Sequence, residues 1–164
     1  MHLVQQLRDM HILSSVWSNH VLWGALLSFA FAQLAKFMLD WIRGGKADYE
    51  RILGSGGMPS SHSAAITGLT VGVMLEHGVG STFFAMCVVL TVIICYDASG
   101  VRQAAGEHAK ILNKIRKQIS GEKEQEALAD KELKELLGHT KLEVLAGVLT
   151  GLVVPMLYYS IRVM

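Results

Sequence analysis

The apolar positions of this chain fall in four long runs rather than in one-sided stripes. The first extends from about Asn19 to Leu39 and meets no charge until Lys36. The second begins near His62 and ends near Leu75, just before Glu76; it is short unless the uncharged Ile52 to Ser61 also lies at membrane depth. A third, from Gly78 to Tyr96, is uncharged until Asp97, and the fourth, Val144 to Ile161, follows Glu143 without a single charge. A membrane span needs about 20 mostly uncharged residues, whereas a soluble bundle keeps polar residues at every third or fourth position on an outer face. The runs lack that outer face. The pattern therefore predicts an all-α integral membrane helical bundle, one domain over 1–164, with four transmembrane helices at about 19–39, 58–76, 78–97 and 142–161.

One long polar region interrupts the pattern, Ser99 to Lys141. Its first half places Val101, Ala104, Ala105, Ala109, Leu112, Ile115 and Ile119 at helical spacing, interleaved with Arg102, Lys110, Lys114, Arg116 and Lys117. An amphipathic helix in the headgroup layer fits this spacing, and a solvated helical arm fits it equally. Ser120 to Lys134 is mostly charged and reads as a loop or further helix, set off by Gly121. Met1 to Ser18 lacks a small-residue cleavage pattern, so the first span is expected to stay in the mature chain.

Composition narrows the class. With 51% hydrophobic and 18% charged residues and a formal net charge of +1, the chain suits neither disorder nor nucleic-acid binding. Two Cys provide no disulfide framework; Cys87 and Cys95, eight apart on one span, read as inert buried thiols. Charge distribution says more than net charge. If four spans cross, 13 of the 15 Lys and Arg lie on one side, and Arg8 and Arg162 on the other. The positive-inside rule makes the basic side cytoplasmic, or matrix or stromal in an organelle.

Two clusters carry chemistry, and both open a span on that basic side. In Gly54-Ser55-Gly56-Gly57-Met58-Pro59-Ser60-Ser61-His62-Ser63-Ala64, glycines allow close backbone approach to an anion. The hydroxyls and free amides of a helix start donate to phosphate oxygens there, and His62 can protonate a leaving oxygen. A glycine-rich helix start with serine capping accounts for the same string. In Gly138-His139-Thr140-Lys141-Leu142-Glu143, His139 and Glu143 are four apart, so on a helix the carboxylate could orient the imidazole. A histidine at a membrane boundary is also an ordinary polar anchor. What favours chemistry is that both histidines, Lys36 and Arg43 are expected at one membrane face.

These residues resemble the type 2 phosphatidic acid phosphatases, which share a fold and site with vanadium haloperoxidases. Lys36, six residues, then Arg43 matches the first family motif, with Gly44 for proline. Pro59-Ser60-Ser61-His62 matches the second, with serine for glycine, and His139 with Glu143 matches the third, with glutamate for aspartate. Together with Tyr96-Asp97-Ala98-Ser99-Gly100-Val101-Arg102, the strings look like the divergent branch of that superfamily, small bacterial and organellar membrane proteins. The likeness covers Gln33 to Gly151.

The resemblance implies a metal-independent membrane hydrolase that acts on a lipid phosphate or diphosphate. His139 would form a phosphohistidine, supported by Glu143, while His62 served as acid and then base. Lys36, Arg43, Ser60, Ser61 and Arg102 would hold the phosphoryl oxygens. One position departs from the family: the arginine expected at 133 is Leu133. Arg102 is the best substitute and Lys134 the second, with Asp97 either orienting Arg102 or capping the span end. The alternative function is a catalytically weakened relative that binds anionic headgroups or scaffolds partners, with a vanadate-dependent haloperoxidase a distant third. No cofactor or metal is expected, since His77 and His108 lack a second ligand at metal spacing.

Gly68-x-x-x-Gly72 and Gly147-x-x-x-Gly151 lie just inside the two motif-bearing spans and allow close helix approach. They would bring His62 and His139 together, or one of them would serve a homodimer. The methionines, Trp17, Trp23 and Trp41 read as core and lipid packing.

Overall fold

The structure, a computed structural model, describes residues 11–12, 14–42, 57–119, 133 and 138–163. From residue 20 on, the helices among the described residues are, in chain order, α1 (His20–Ile42), α2 (Ser61–His77), α3 (Thr82–Ser99), α4 (Val101–Ile119) and α5 (Lys141–Val163). No strand occurs among the described residues. Helix α2 is the centre of the bundle and packs against α1, α3 and α5, while α4 touches the rest mainly through α3.

Among the described residues, three stretches are long and apolar enough to cross a membrane: α1, α5 and the near-continuous Thr82–Arg116 that α3 begins. Helix α2 has 17 residues, a rise of about 26 Å. Its composition reflects its place. Ser63, Ala64, Thr67, Gly68, Thr70 and Gly72 are all buried, because a helix enclosed by three others needs small side chains more than large apolar ones. The outer helices show the reverse, with Leu26, Phe31, Phe83, Met86, Val92 and Leu149 exposed where a bilayer would cover them.

Local signals set the helix ends. The Ser60 hydroxyl caps α2 by accepting from the Ser63 amide at 3.4 Å, and the Ser81 hydroxyl caps α3 by accepting from Phe84 at 3.2 Å. Gly78 (φ +77°) ends α2 by donating its amide to the Met74 carbonyl at 3.0 Å.

Both small-residue motifs are used inside one chain, for different partners. A Cβ at Gly147 would strike the Ser60 carbonyl, and one at Gly151 would strike Ala64, so this motif seats α5 on α2. A Cβ at Gly68 would meet the Ser28 side chain and one at Gly72 the Val21 backbone, so the other seats α2 on α1. The expectation that the motifs join the histidine-bearing helices is thus met by Gly147 and Gly151, the latter against the Gly68 backbone, while Gly72 serves α1.

Hydroxyls supply the remaining ties. Thr70 and Thr91 pair at 2.8 Å between α2 and α3, whereas the buried Thr67 Oγ1 has no hydrogen-bond partner. At the bundle end away from the motifs, His20 Nδ1 and the Tyr158 hydroxyl lie 2.9 Å apart, and the Tyr159 hydroxyl donates to Glu76 at 3.0 Å. These contacts gather the start of α1 and the ends of α2 and α5.

Candidate active site

Four helix ends converge opposite that tyrosine cluster. The Ser60 amide donates to the Glu143 carbonyl oxygen at 3.0 Å, which ties the start of α2 to the start of α5. The His139 amide donates to the Ala98 carbonyl at 2.9 Å, which ties the approach to α5 to the end of α3. From α1, Lys36 arrives 2% exposed, its methylene chain against Gly57, where a Cβ would lie 3.3 Å from Lys36 Cγ and Cδ. Gly57 also has φ +85°, a left-handed conformation that side chains disfavour.

His139 lies at the centre of this arrangement. It is 4% exposed, and its buried Nε2 has no hydrogen-bond partner. A buried polar atom without a partner is costly, so such an atom among charged groups suggests a reacting or ligand-binding nitrogen. Lys36, His62, Arg102 and Glu143 are close enough for their charges to act on the ring. Burial, the largest influence, pushes the His139 imidazole below its ordinary pKa; Glu143 pulls it up, and Lys36, His62 and Arg102 push it down. The neutral, nucleophilic form is thereby favoured.

Glu143 does not meet His139 as the i,i+4 spacing suggests, because α5 starts at Lys141 and His139 precedes it. Thr140 and Glu143 instead form a capping box. The Thr140 amide donates to Glu143 Oε2 at 2.9 Å and the Glu143 amide donates to Thr140 Oγ1 at 3.3 Å. No hydrogen bond joins Glu143 to His139, so its support of the imidazole is electrostatic. The Thr-x-x-Glu spacing was the signal for this cap, and it identifies Thr140 as a residue that organises the site.

The other expected residues divide by location. Ser60 is fully buried, its hydroxyl engaged with Ser63 (Oγ to Oγ 3.0 Å) and its amide with Glu143. Among the described residues the Ser61 and His62 amides at the start of α2 have no hydrogen-bond acceptor; Ser61 is buried and the His62 side chain exposed. Arg102 Nε donates to Asp97 Oδ2 at 2.7 Å in a pair that is largely solvent-exposed. Gly138 (φ +85°) lies so close to Arg102 and Gln103 that a Cβ would strike the Gln103 amide. The chain thus packs Arg102 against the residue preceding His139. Arg43 and Lys134, with Lys46, Arg51 and Gly54 to Gly56, lie outside the described residues.

These features define a class, a membrane-embedded helical bundle with a buried imidazole and several cations at one end. Residues 17–154 match the family model described as the Divergent PAP2 family, and the chain belongs to that family. It is similar to an uncharacterized membrane protein, YuiD, of Bacillus subtilis (strain 168), with 43% identity over 143 residues that cover 82% of this chain and 90% of that protein. No solved structure matches.

Proposed function

We propose that this protein hydrolyses a lipid phosphate or diphosphate through a phosphohistidine intermediate. The observation that carries the reading is the buried, unpartnered Nε2 of His139 near the start of α2 and the charges of Lys36 and Arg102. His139 attacks phosphorus, the N–P bond forms as the P–O bond to the lipid breaks, and His62 gives its proton to the leaving oxygen. His62, now a base, takes a proton from water, which attacks phosphorus and frees His139 and inorganic phosphate. Lys36, Arg43, Arg102 and the α2 amides stabilise the equatorial oxygens, while Glu143 supports the positive charge that develops on the imidazole. The exposed position of His62 suits a group that exchanges protons with solvent.

A second reading, a weakened relative that binds anionic headgroups without turnover, is favoured by Leu133 at the family's arginine position and by Asp97 already occupying Arg102. Phosphate release by purified protein from phosphatidate, phosphatidylglycerophosphate and polyprenyl diphosphate separates the two. Phosphatase action predicts release from at least one substrate, abolished in His139→Ala. Losses of about 10²- to 10⁴-fold are expected in His62→Ala and about 10²- to 10³-fold in Arg102→Ala. Full activity of His139→Ala removes the nucleophile assignment, and no release from any substrate supports the binding protein.

Helix α2 acts as the fourth crossing in this proposal, and the site faces the cytoplasm, or the matrix or stroma in an organelle, because the basic residues gather at that end.

A further inference from the structure

Helix α4 has three sectors, and one has no protein partner among the described residues. Gly106, Ala109 and Asn113 face inward and are buried, with the Asn113 side chain donating to the Leu133 carbonyl at 3.0 Å and accepting from its amide at 3.2 Å. Gln103, Glu107, Lys110 and Lys114 form a polar sector. Val101, Ile111, Leu112 and Ile115 share an arc of about 100° and are 61%, 56%, 53% and 44% exposed. His108 alone interrupts this arc with a titratable group. On the preceding α3, Val92, Ile93 and Tyr96 are also uncovered. The helix carries five Lys and Arg against one Glu.

We propose that α4 lies on the site-bearing leaflet, its apolar arc sunk at the boundary of headgroups and acyl chains and its lysines on anionic headgroups, and that this docking holds the candidate site together. The arc follows directly on α3, a helix apolar enough to cross a membrane and itself uncovered on its outer side, which argues for lipid as the occupant. The excess of basic residues argues for an anionic one. The coupling follows from the junction of α3 with α4. Ala98 holds the His139 amide, and the Arg102–Gln103 backbone lies flat against Gly138. A shift of α4 moves Arg102 and the His139 backbone together. This second half rests on the phosphatase reading, and the docking itself does not.

The experiment uses the full chain in nanodiscs of phosphatidylcholine with and without phosphatidylglycerol. A fluorophore on Leu112→Cys, in a Cys87→Ala/Cys95→Ala background, is expected to be shielded from iodide and reached by lipid-borne quenchers in anionic discs. The same label on Glu107→Cys stays open to iodide. Replacing Lys110 and Lys114 by Gln lowers the docked-to-undocked ratio about fivefold for each lysine. Hydrogen exchange of α4 in the unmodified chain reads the same docking without a substitution, as slower exchange in anionic discs. Equal iodide access at Leu112 and Glu107 overturns the proposal, as does shielding from both quenchers, which marks a protein partner. Phosphate release should fall in Lys110→Gln/Lys114→Gln as docking falls; docking lost with turnover unchanged overturns the coupling. Docking observed in a protein that releases no phosphate leaves α4 as a lipid-docked helix and defeats the phosphatase reading alone.

Discussion

Glu143 serves two neighbours at once, its carboxylate accepting the Thr140 amide while its charge raises the basicity of His139. Glutamine can keep the first role and not the second. In Glu143→Gln the cap survives, so thermal stability should stay within about 0.5 kcal/mol of the parent, while burial is left less opposed at His139. The sign follows directly: removing the negative charge lowers the imidazole pKa further. The acid limb of kcat/KM, where protonation of His139 removes the nucleophile, therefore moves to lower pH, and the rate on the plateau falls with the basicity of the nitrogen. A pH profile of the two proteins measures both effects. An unmoved limb would separate the titration from His139. At this scale the sequence made the chemical inventory legible, since His62, His139, Lys36 and Arg102 could be named from spacing and resemblance. It did not assign hydrogen bonds. Both Glu143 and Ser60 lie at helix starts, where capping competes with catalysis for the same oxygen, and only the position of the first helical residue decides between them.

Between elements, α2 and α5 approach so closely that Gly147 lies against the Ser60 carbonyl. The same contact brings the two histidine-bearing strings together, so their alignment depends on a missing side chain. Gly147→Leu must push the helices apart or rotate α5. An overpacking cost of about 1–3 kcal/mol is expected in detergent unfolding, with loss of phosphate release even in the fraction that stays folded. A fully active and equally stable variant would show that the contact is not needed. Helix existence and order were readable from the apolar runs, and α4 falls on the amphipathic segment Val101 to Ile119. The partner of each glycine motif was not readable, because a small-x-x-x-small face states that some backbone comes close and not which one. The short second apolar run was the other obscure element: α2 is rich in Ser, Thr and Gly because other helices surround it.

For the whole molecule, four crossings would leave 13 of 15 Lys and Arg on the site-bearing side, together with 12 of the 14 Asp and Glu. The face as a whole is therefore close to neutral. In that arrangement its orientation would rest on the count of basic residues alone, which is how insertion reads charge, and the proposed attraction for anionic lipid would be concentrated on α4. Four crossings also place both chain ends on the opposite side. Accessibility of N- and C-terminal tags in intact cells tests this, and tags on two different sides would mean that α2 does not cross. Elsewhere in the bundle, the Thr67 hydroxyl is buried at the level where α5 presses on α2, with nothing to bond. Valine has nearly the same shape and no hydroxyl to desolvate, and an unsatisfied buried hydroxyl costs about 1–3 kcal/mol. Thr67→Val should then melt at a higher temperature than the parent, with unchanged oligomeric state. Such a hardened chain would tolerate the long detergent incubations that lipid-substrate screening demands, so an unused hydroxyl that takes no part in the proposed chemistry offers a practical route to learning what the histidines act on.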